Sequence, residues 1–513
     1  MLKQIFIFPS LFIFVLSLRA QPSIQWQKTF GGSLFDEAFS VISTTDGGYI
    51  LAGFTVSDDG DVVGSHGNSD YWVLKLDSMG SVSWKRAYGG SNHDGVYCIQ
   101  AASDGGYILA GYTASTDGDV SGNHGDKDMW VIRLDDDGDI EWQKTLGGSG
   151  WEEAWSVKQT TDGGYIVAGR SGSNDGDVTG FHGYLDYWVV KLNSTGELEW
   201  QKSLGGTDID KGYTISQTDD GGYIVAGEAQ STDGMVTGNH GGTDFWVVKL
   251  NFEGKIEWEK SLGGTGLDRA NDIHQARDGG YIMICQTSST NGHVTGSHGG
   301  NDYWVVKLTS DGNIDWQKAI GGSKDDFGRF VYQTTDGGYV TIGTTRSTDG
   351  DILNHIGVDD IWIVKLTEIG EIQWQKTLGG SLNERGNCIQ QTTDGGYILT
   401  GYAWSDDGDV SENQGYSDVW IVKLSPEASN TGEAQSQPLT ISPNPATQSI
   451  TLNIPTETST LKVRIIDLLG RELQQKSILN NSNLDISALP NGFYLVTATA
   501  PSGQVYAGKL QKE

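Results

Sequence analysis

Apolar and polar positions alternate along most of the chain in short runs, and no run shows the three-to-four spacing of an amphipathic helix. Segments such as VISTT, GYILAGF, YWVLKL and SVSWKRAY read as strands separated by polar turns. VISTT and GYILAGF are joined by Asp-Gly, a pair that adopts the positive φ of a tight hairpin turn. A longer polar stretch, SDDGDVVGSHGNSD, leads into YWVLKL, and a turn containing Gly80 reverses the chain into SVSWKRAY.

This four-strand group repeats. Trp26, Trp84, Trp142, Trp200, Trp258, Trp316 and Trp374 are spaced by 58 residues, each in a segment like IQWQKTF. Trp72, Trp130, Trp188, Trp246, Trp304, Trp362 and Trp420 keep the same interval in segments like DYWVLKL, as do the Asp-Gly-Gly turns from Asp46 to Asp394. Seven equal units of four strands predict an all-β, seven-bladed β-propeller. The ends are out of phase: a WQK strand at 24–30 precedes the first complete unit, and the last unit stops after Leu424 without its outer strand. Strand 24–30 is therefore expected to pair with the blade built from 381–424, which removes the open edges that an unclosed β-solenoid would keep.

The flanks differ in character. Residues 1–20 combine Lys3, an apolar run from Ile5 to Leu18 and Ala20, the pattern of a secretory signal peptide, with a retained anchor helix as the alternative. No other stretch is long and apolar enough for a membrane-spanning helix, so the mature form is expected to have no transmembrane segment. Residues 21–425 hold the propeller and 426–438 form a polar linker. Residues 439–513 alternate again, as a small Ig-like β-sandwich.

Units such as DGGYIVAG, DGDVTG, DYWVVKL and GNIDWQKAIGGS resemble the repeats of secreted propeller-like proteins of the Bacteroidota over residues 24–424, a resemblance that implies little about activity. In the tail, SPNP at 442–445, IDLLGR at 466–471 and LPNGFY at 489–494 resemble, in order, the C-terminal sorting domain of the type IX secretion system. That resemblance implies translocation by the type IX machinery and removal of the tail. It also implies either release or attachment to surface lipopolysaccharide, so the location is secreted or the outer-membrane cell surface.

Charge narrows the partners. With 34 Lys and Arg against 66 Asp and Glu, the formal charge of −32 argues against nucleic acid and anionic membrane, both of which need a basic footprint. Divalent cations and neutral or cationic ligands remain compatible. The three cysteines, Cys98, Cys285 and Cys388, are too few and scattered for a disulfide framework and are expected to be buried thiols.

Two loop sets supply candidate chemistry. The first carries S-x-D-G-D-V-x-G-x-H-G-x-x-D: Asp59, Asp61, His66 and Asp70, then Asp117, Asp119, His124 and Asp128, then Asp175, Asp177, His182 and Asp186. Later copies depart at Met235, Asn291, His293, His355 and Gln414. Such oxygens suit calcium, while Asp and Asn in Asp-Gly turns also fold back on their own backbone without any ligand. The second set places Asp36, Asp94, Glu152, Asp210, Asp268, Asp326 and Glu384 after G-G-S/T-x-x in each copy, an expected acidic rim on the same face. Trp151, Trp155 and Trp404 break the repeat and read as loop aromatics, either ordinary exposed or half-buried side chains or a platform for a sugar ring. No G-x-S-x-G, H-E-x-x-H or phosphate-cradling loop is present. The resulting expectation is a binding or adhesion propeller for a glycan, a protein or divalent cations. The alternatives are a polysaccharide hydrolase or lyase with acid/base groups near Trp151 and Glu152, and an architectural role in the cell coat.

Overall fold

The computed structural model describes residues 21–427, 437–454, 460–467, 472–500 and 505–513. The expected signal peptide, most of the linker and residues 468–471 of the IDLLGR segment lie outside the described residues.

Gln21–Glu427 forms one compact unit of seven antiparallel four-stranded sheets. In blade 1 the strands run from inside to outside as Asp36–Ser43, Tyr49–Thr55, Asp70–Leu76 and Val82–Tyr88. The second and third strands are buried on both faces because neighbouring blades sandwich them, which is why YILAGFT and DYWVLKL are nearly continuously apolar. Every inner strand carries a register shift at its third to fifth residue, between Ala38 and Ser40 in blade 1 and between Ala154 and Ser156 in blade 3. Such a bulge re-aims the side chains beyond it.

Ile24–Phe30 pairs antiparallel with Asp418–Leu424, matching Thr29 to Trp420 and Phe30 to Val419, and completes the seventh blade. The indole N–H of Trp420 donates to Gln27 Oε1 at 2.6 Å. Trp130, Trp188 and Trp304 make the same bond to Gln143, Gln201 and Gln317, so the Gln of each WQK segment satisfies the buried indole of its own blade. Blade 1 has Lys85 at that position, and the Trp72 indole nitrogen is left without a partner. The inner strand Glu384–Gln391 packs against Asp36–Ser43 of the first blade, so the inner strands form a closed ring around a central channel.

Blades 1, 3 and 5 pack against the next blade through the same groups, Tyr71, Tyr187 and Tyr303. The Tyr71 ring meets Trp130 of the next blade at 4.6 Å and its hydroxyl donates to the Trp130 carbonyl at 2.9 Å. The strand lysines, such as Lys249, are buried and pair with the Asp of the Asp-Gly-Gly turn, here Asp220 at 2.9 Å. Gly196 must be glycine on two counts: its φ is +80°, and a Cβ there would stand 2.8 Å from the Trp142 ring.

The second unit is a β-sandwich. Its five-stranded sheet runs in the order Gln437–Pro438, Val505–Lys512, Gly492–Thr499, Thr460–Asp467, Glu472–Leu479. A three-stranded sheet of Thr440–Ser442, Ser449–Asn453 and Asn483–Asp485 shares with it a core that includes Ile450, Leu452, Leu461, Ile465, Val496 and Leu510. Among the described residues no helix is long and apolar enough to cross a membrane.

Candidate functional site

The acids expected to form a rim are interior groups. Asp36, Asp94, Glu152, Asp210, Asp268, Asp326 and Glu384 are all fully buried at the start of the inner strands. Asp94 is typical: Oδ2 accepts the Gly90 N–H and the Ser115 hydroxyl, each at 2.8 Å, and Oδ1 accepts the Thr113 hydroxyl. Glu152 likewise accepts from Gly148 N–H at 2.9 Å, Ser171 hydroxyl at 2.8 Å and Gly172 N–H at 3.1 Å. These carboxylates tie the Gly-Gly turn to the second strand of their own blade, and solvent does not reach them.

The Asp-Gly-Asp loops are turn chemistry as well. Asp59, Asp117 and Asp175 each accept a backbone N–H, from Ser33, Ser91 and Ser149, at 2.7 Å. Asp119 and Asp177 accept the N–H of Gly89 and Gly147 at 3.2 Å, while Asp61 pairs with Lys85 at 2.9 Å. Asp70, Asp128 and Asp186 are buried, and each Oδ2 accepts the backbone N–H of the loop histidine, His66, His124 or His182. Their Oδ1 atoms, with those of Asp244, Asp302 and Asp418, have no hydrogen-bond partner. A Cβ at Gly89 would lie 2.1 Å from Asp70 Oδ1 and 2.7 Å from Asp94 Oδ2, so each blade junction brings two carboxylates from adjacent blades together. Among the described residues no group of three or more His, Cys, Asp or Glu side chains is arranged to hold a metal ion.

The three unpatterned tryptophans separate in space. Trp151 is at the loop face, 40% exposed, with the Arg170 guanidinium 4.0 Å above its ring and its indole N–H donated to Glu153 at 2.9 Å. Trp404 is 41% exposed beside Phe35, which stacks on Tyr416 at 5.2 Å. Trp155 is not a loop residue: it lies within the inner strand Glu152–Gln159 and lines the central channel. Cys285 and Cys388 are buried free thiols, whereas Cys98 is half-buried on the channel wall.

The channel encloses a cavity of about 570 Å³ lined by all seven inner strands. One residue per blade, equivalent to position 39, makes a ring: Phe39, Tyr97, Trp155 and Tyr213 from blades 1 to 4, then Asn271, Arg329 and Asn387 from blades 5 to 7. The aromatic half is continuous. Phe39 meets Tyr97 at 5.4 Å, Tyr97 stacks on Trp155 at 4.4 Å and 6°, and Trp155 meets Tyr213 edge-on at 4.9 Å. On the polar half, Asn271 and Asn387 donate to the carbonyls of Gly328 and Ala38 at 2.6 and 2.8 Å. The sequence reading named Trp155, as a loop aromatic, and missed the other six. The signal was present as the positions at which an otherwise regular inner strand stops repeating.

Residues 440–513 match the family model described as the secretion system C-terminal sorting domain. The second unit is that sorting domain. It directs the chain through the type IX secretion machinery to the cell surface or the extracellular space. The chain is 25% identical over 409 residues to the regulatory protein FlaEY of Caulobacter vibrioides, an alignment covering 69% of this chain. It spans only 41% of that protein's length. Among solved structures, apocarotenoid oxygenase from Synechocystis is similar at 12% identity and a TM-score of 0.36, covering 80% of this chain and 95% of that one. The extracellular domain of a hybrid two-component system from B. thetaiotaomicron is similar at 10% identity and a TM-score of 0.26, covering 93% and 68%. Likenesses of this degree carry no argument about activity.

Electrostatics distinguish the channel from the surface. Its charged lining is Lys158, Arg269, Arg329 and Arg385 against Glu37 and Asp272, a cationic excess inside a protein of net charge −32. Arg269 pairs with Glu228, and Arg385 lies 3.7 Å from Asp359. Burial pushes the Glu37 carboxyl up to about 7, against the pull of Arg385 and Arg329. Lower in the channel, His274 Nε2 and Asp272 Oδ2 are 2.9 Å apart.

Proposed function

We propose that the mature protein is a binding propeller, released or held on surface lipopolysaccharide, whose ligand enters the central channel instead of engaging the acidic loops. The observation that carries this reading is the contrast within the repeat. Third strands differ little between copies because they are clamped between blades, whereas the channel positions sort into an aromatic half and a polar, cationic half. An asymmetric concave site with an apolar wall and a few polar groups is the usual form of a small-ligand pocket. A glycan array followed by calorimetry tests it. Trp155→Ala is expected to weaken the captured glycan by at least about tenfold, since an aromatic contact of this kind is worth on the order of 1–3 kcal/mol. Trp404→Ala, on the loop face, should leave affinity unchanged, and the reverse pattern would move the site to the loops.

Glu37 favours a second reading, a polysaccharide hydrolase or lyase. A channel carboxyl that holds its proton to about pH 7 can act as a general acid or base near neutrality. Turnover of polysaccharides, measured as new reducing ends and lost in Glu37→Gln, would establish that reading. Glu152 does not serve it, because its oxygens are buried and already engaged.

A further inference from the structure

Arg329 is the unexplained group of the channel. It lines the cavity from blade 6 and forms no hydrogen bond or ion pair among the described residues. Its neighbours make the arrangement costly. Burial and the nearby guanidinium groups of Arg385 and Arg269 all disfavour its charge. A partly buried cation without a counter-ion, facing two others, is destabilising unless something else supplies the negative charge. Glu37, the channel carboxyl whose charge Arg329 favours, makes no ion pair with it among the described residues, and burial holds its carboxyl up to about 7.

Opposite this cation stands the aromatic arc, whose inner members Tyr97 and Trp155 are locked against one another. An apolar wall across from an unpaired guanidinium matches a ligand with a compact ring on one side and an acid group on the other. The rest of the surface repels anions at this net charge, so a cationic lumen also focuses such a ligand into the channel. The amides of Asn271, Asn387 and Gln390, which share the lining, suit a ring carrying several hydroxyls.

We infer that the channel binds an acidic saccharide, a sugar ring bearing a carboxylate or sulfate, with the acid group on Arg329 and the ring against Tyr97 and Trp155. This rests on the channel being the binding site. Arg329 is then the residue that sets specificity for acidic over neutral sugars, because a guanidinium fork matches the two oxygens of a carboxylate.

The test is calorimetry on the full chain with three probes: a trisaccharide of galacturonate, the neutral galactose trisaccharide of the same linkage, and benzoate as an acid ring without hydroxyls. The galacturonate should bind at least about tenfold more tightly than either of the others, with affinity falling as salt rises. Arg329→Gln should abolish the preference for acid over neutral sugar, and Arg329→Lys should retain part of it. Since Arg329 has no partner to lose, Arg329→Gln should melt at the same or a higher temperature than the parent, which guards against misfolding as the cause. Equal binding of acidic and neutral sugars, each lost in Trp155→Ala, would overturn the acid inference and leave the channel reading intact. Tight binding of benzoate alone would overturn the saccharide. Binding of acidic sugar unaffected by both Arg329→Gln and Trp155→Ala would overturn both.

Discussion

A chain that lacks residues 21–30 is expected to lose its cooperative thermal transition or to melt far below the parent. The deleted strand supplies the outer edge of the seventh blade. Its removal exposes the hydrogen-bonding edge of Asp418–Leu424 and orphans the Trp420 indole. It also removes Phe30, which is buried, and the half-buried Ile24 and Trp26 from their clusters. Truncating one large buried side chain costs about 3–5 kcal/mol. The whole strand should therefore cost on the order of the entire stability of an ordinary domain, about 5–15 kcal/mol. An uncovered, apolar strand edge also invites association, so soluble aggregates are expected by size-exclusion chromatography. A chain ending at Glu427 is the control, since the sorting domain is a separate compact unit, and its propeller transition should be unchanged. Equal melting of the strand-deleted and parent proteins would mean that the ring is not closed by this strand.

The second large effect is on pH. Melting temperature is expected to rise as pH falls from 7.5 to about 5 and to drop below about pH 4. The rise comes from the blade junctions. Burial pushes Asp70 and Asp418 up to about 6, with the backbone N–H groups of His66 and Gln414 opposing. Asp70 also faces the negative charges of Asp94 and Asp119, and Asp418 those of Asp36 and Asp61. Asp128, Asp186, Asp244, Asp302 and Asp360 are displaced upward too, again by burial first. A carboxyl whose folded value exceeds its unfolded one binds its proton more tightly when folded. The stability it gives therefore grows as pH falls through the folded value and is complete below the unfolded one. One unit of displacement is worth about 1.4 kcal/mol. Several junctions acting together should shift melting by about 5 °C or more.

The drop at lower pH has the opposite origin. Burial raises the turn acids, but hydrogen bonds and the strand lysines outweigh it, bringing Asp220 down to about 2 and lowering Asp162, Asp278, Asp336 and Asp394. Their contribution is present above the unfolded value and is lost below it. Asp70→Asn with Asp418→Asn should reduce the rise between pH 7.5 and 5 and leave the acid drop unchanged. A flat profile in the parent would contradict the account. A gain at pH 7.5 from millimolar calcium, reversed by chelator and smaller in the double variant, would show that the unpartnered Oδ1 atoms hold a cation and not a proton.

The fold was legible because it is written in invariant positions. The two tryptophan series and the Asp-Gly-Gly turns mark three of the four strands in every blade, and the out-of-phase strand 24–30 indicates how the ring closes. The site was not legible in the same way. Asp36 and its equivalents follow a polar G-G-S/T-x-x stretch that reads as an exposed loop. Their burial depends on hydroxyls such as Thr55 and Ser57, which antiparallel pairing brings alongside from the next strand. Trp155 sits in a stretch that looks like loop, and its aim into the channel depends on the bulge between Ala154 and Ser156, which simple alternation does not contain. Arg329 carries no motif at all. Its meaning comes only from the blades that place Arg385, Arg269 and the aromatic arc around it.

Hydrogen exchange of the full chain, read by mass spectrometry with and without the galacturonate trisaccharide, tests the central claim most directly. The account predicts slower exchange in inner-strand peptides covering 152–159 and 326–333, with no change in loop peptides covering 56–69 and 114–127. Slowing confined to those loops, with the inner strands unaffected, would contradict it.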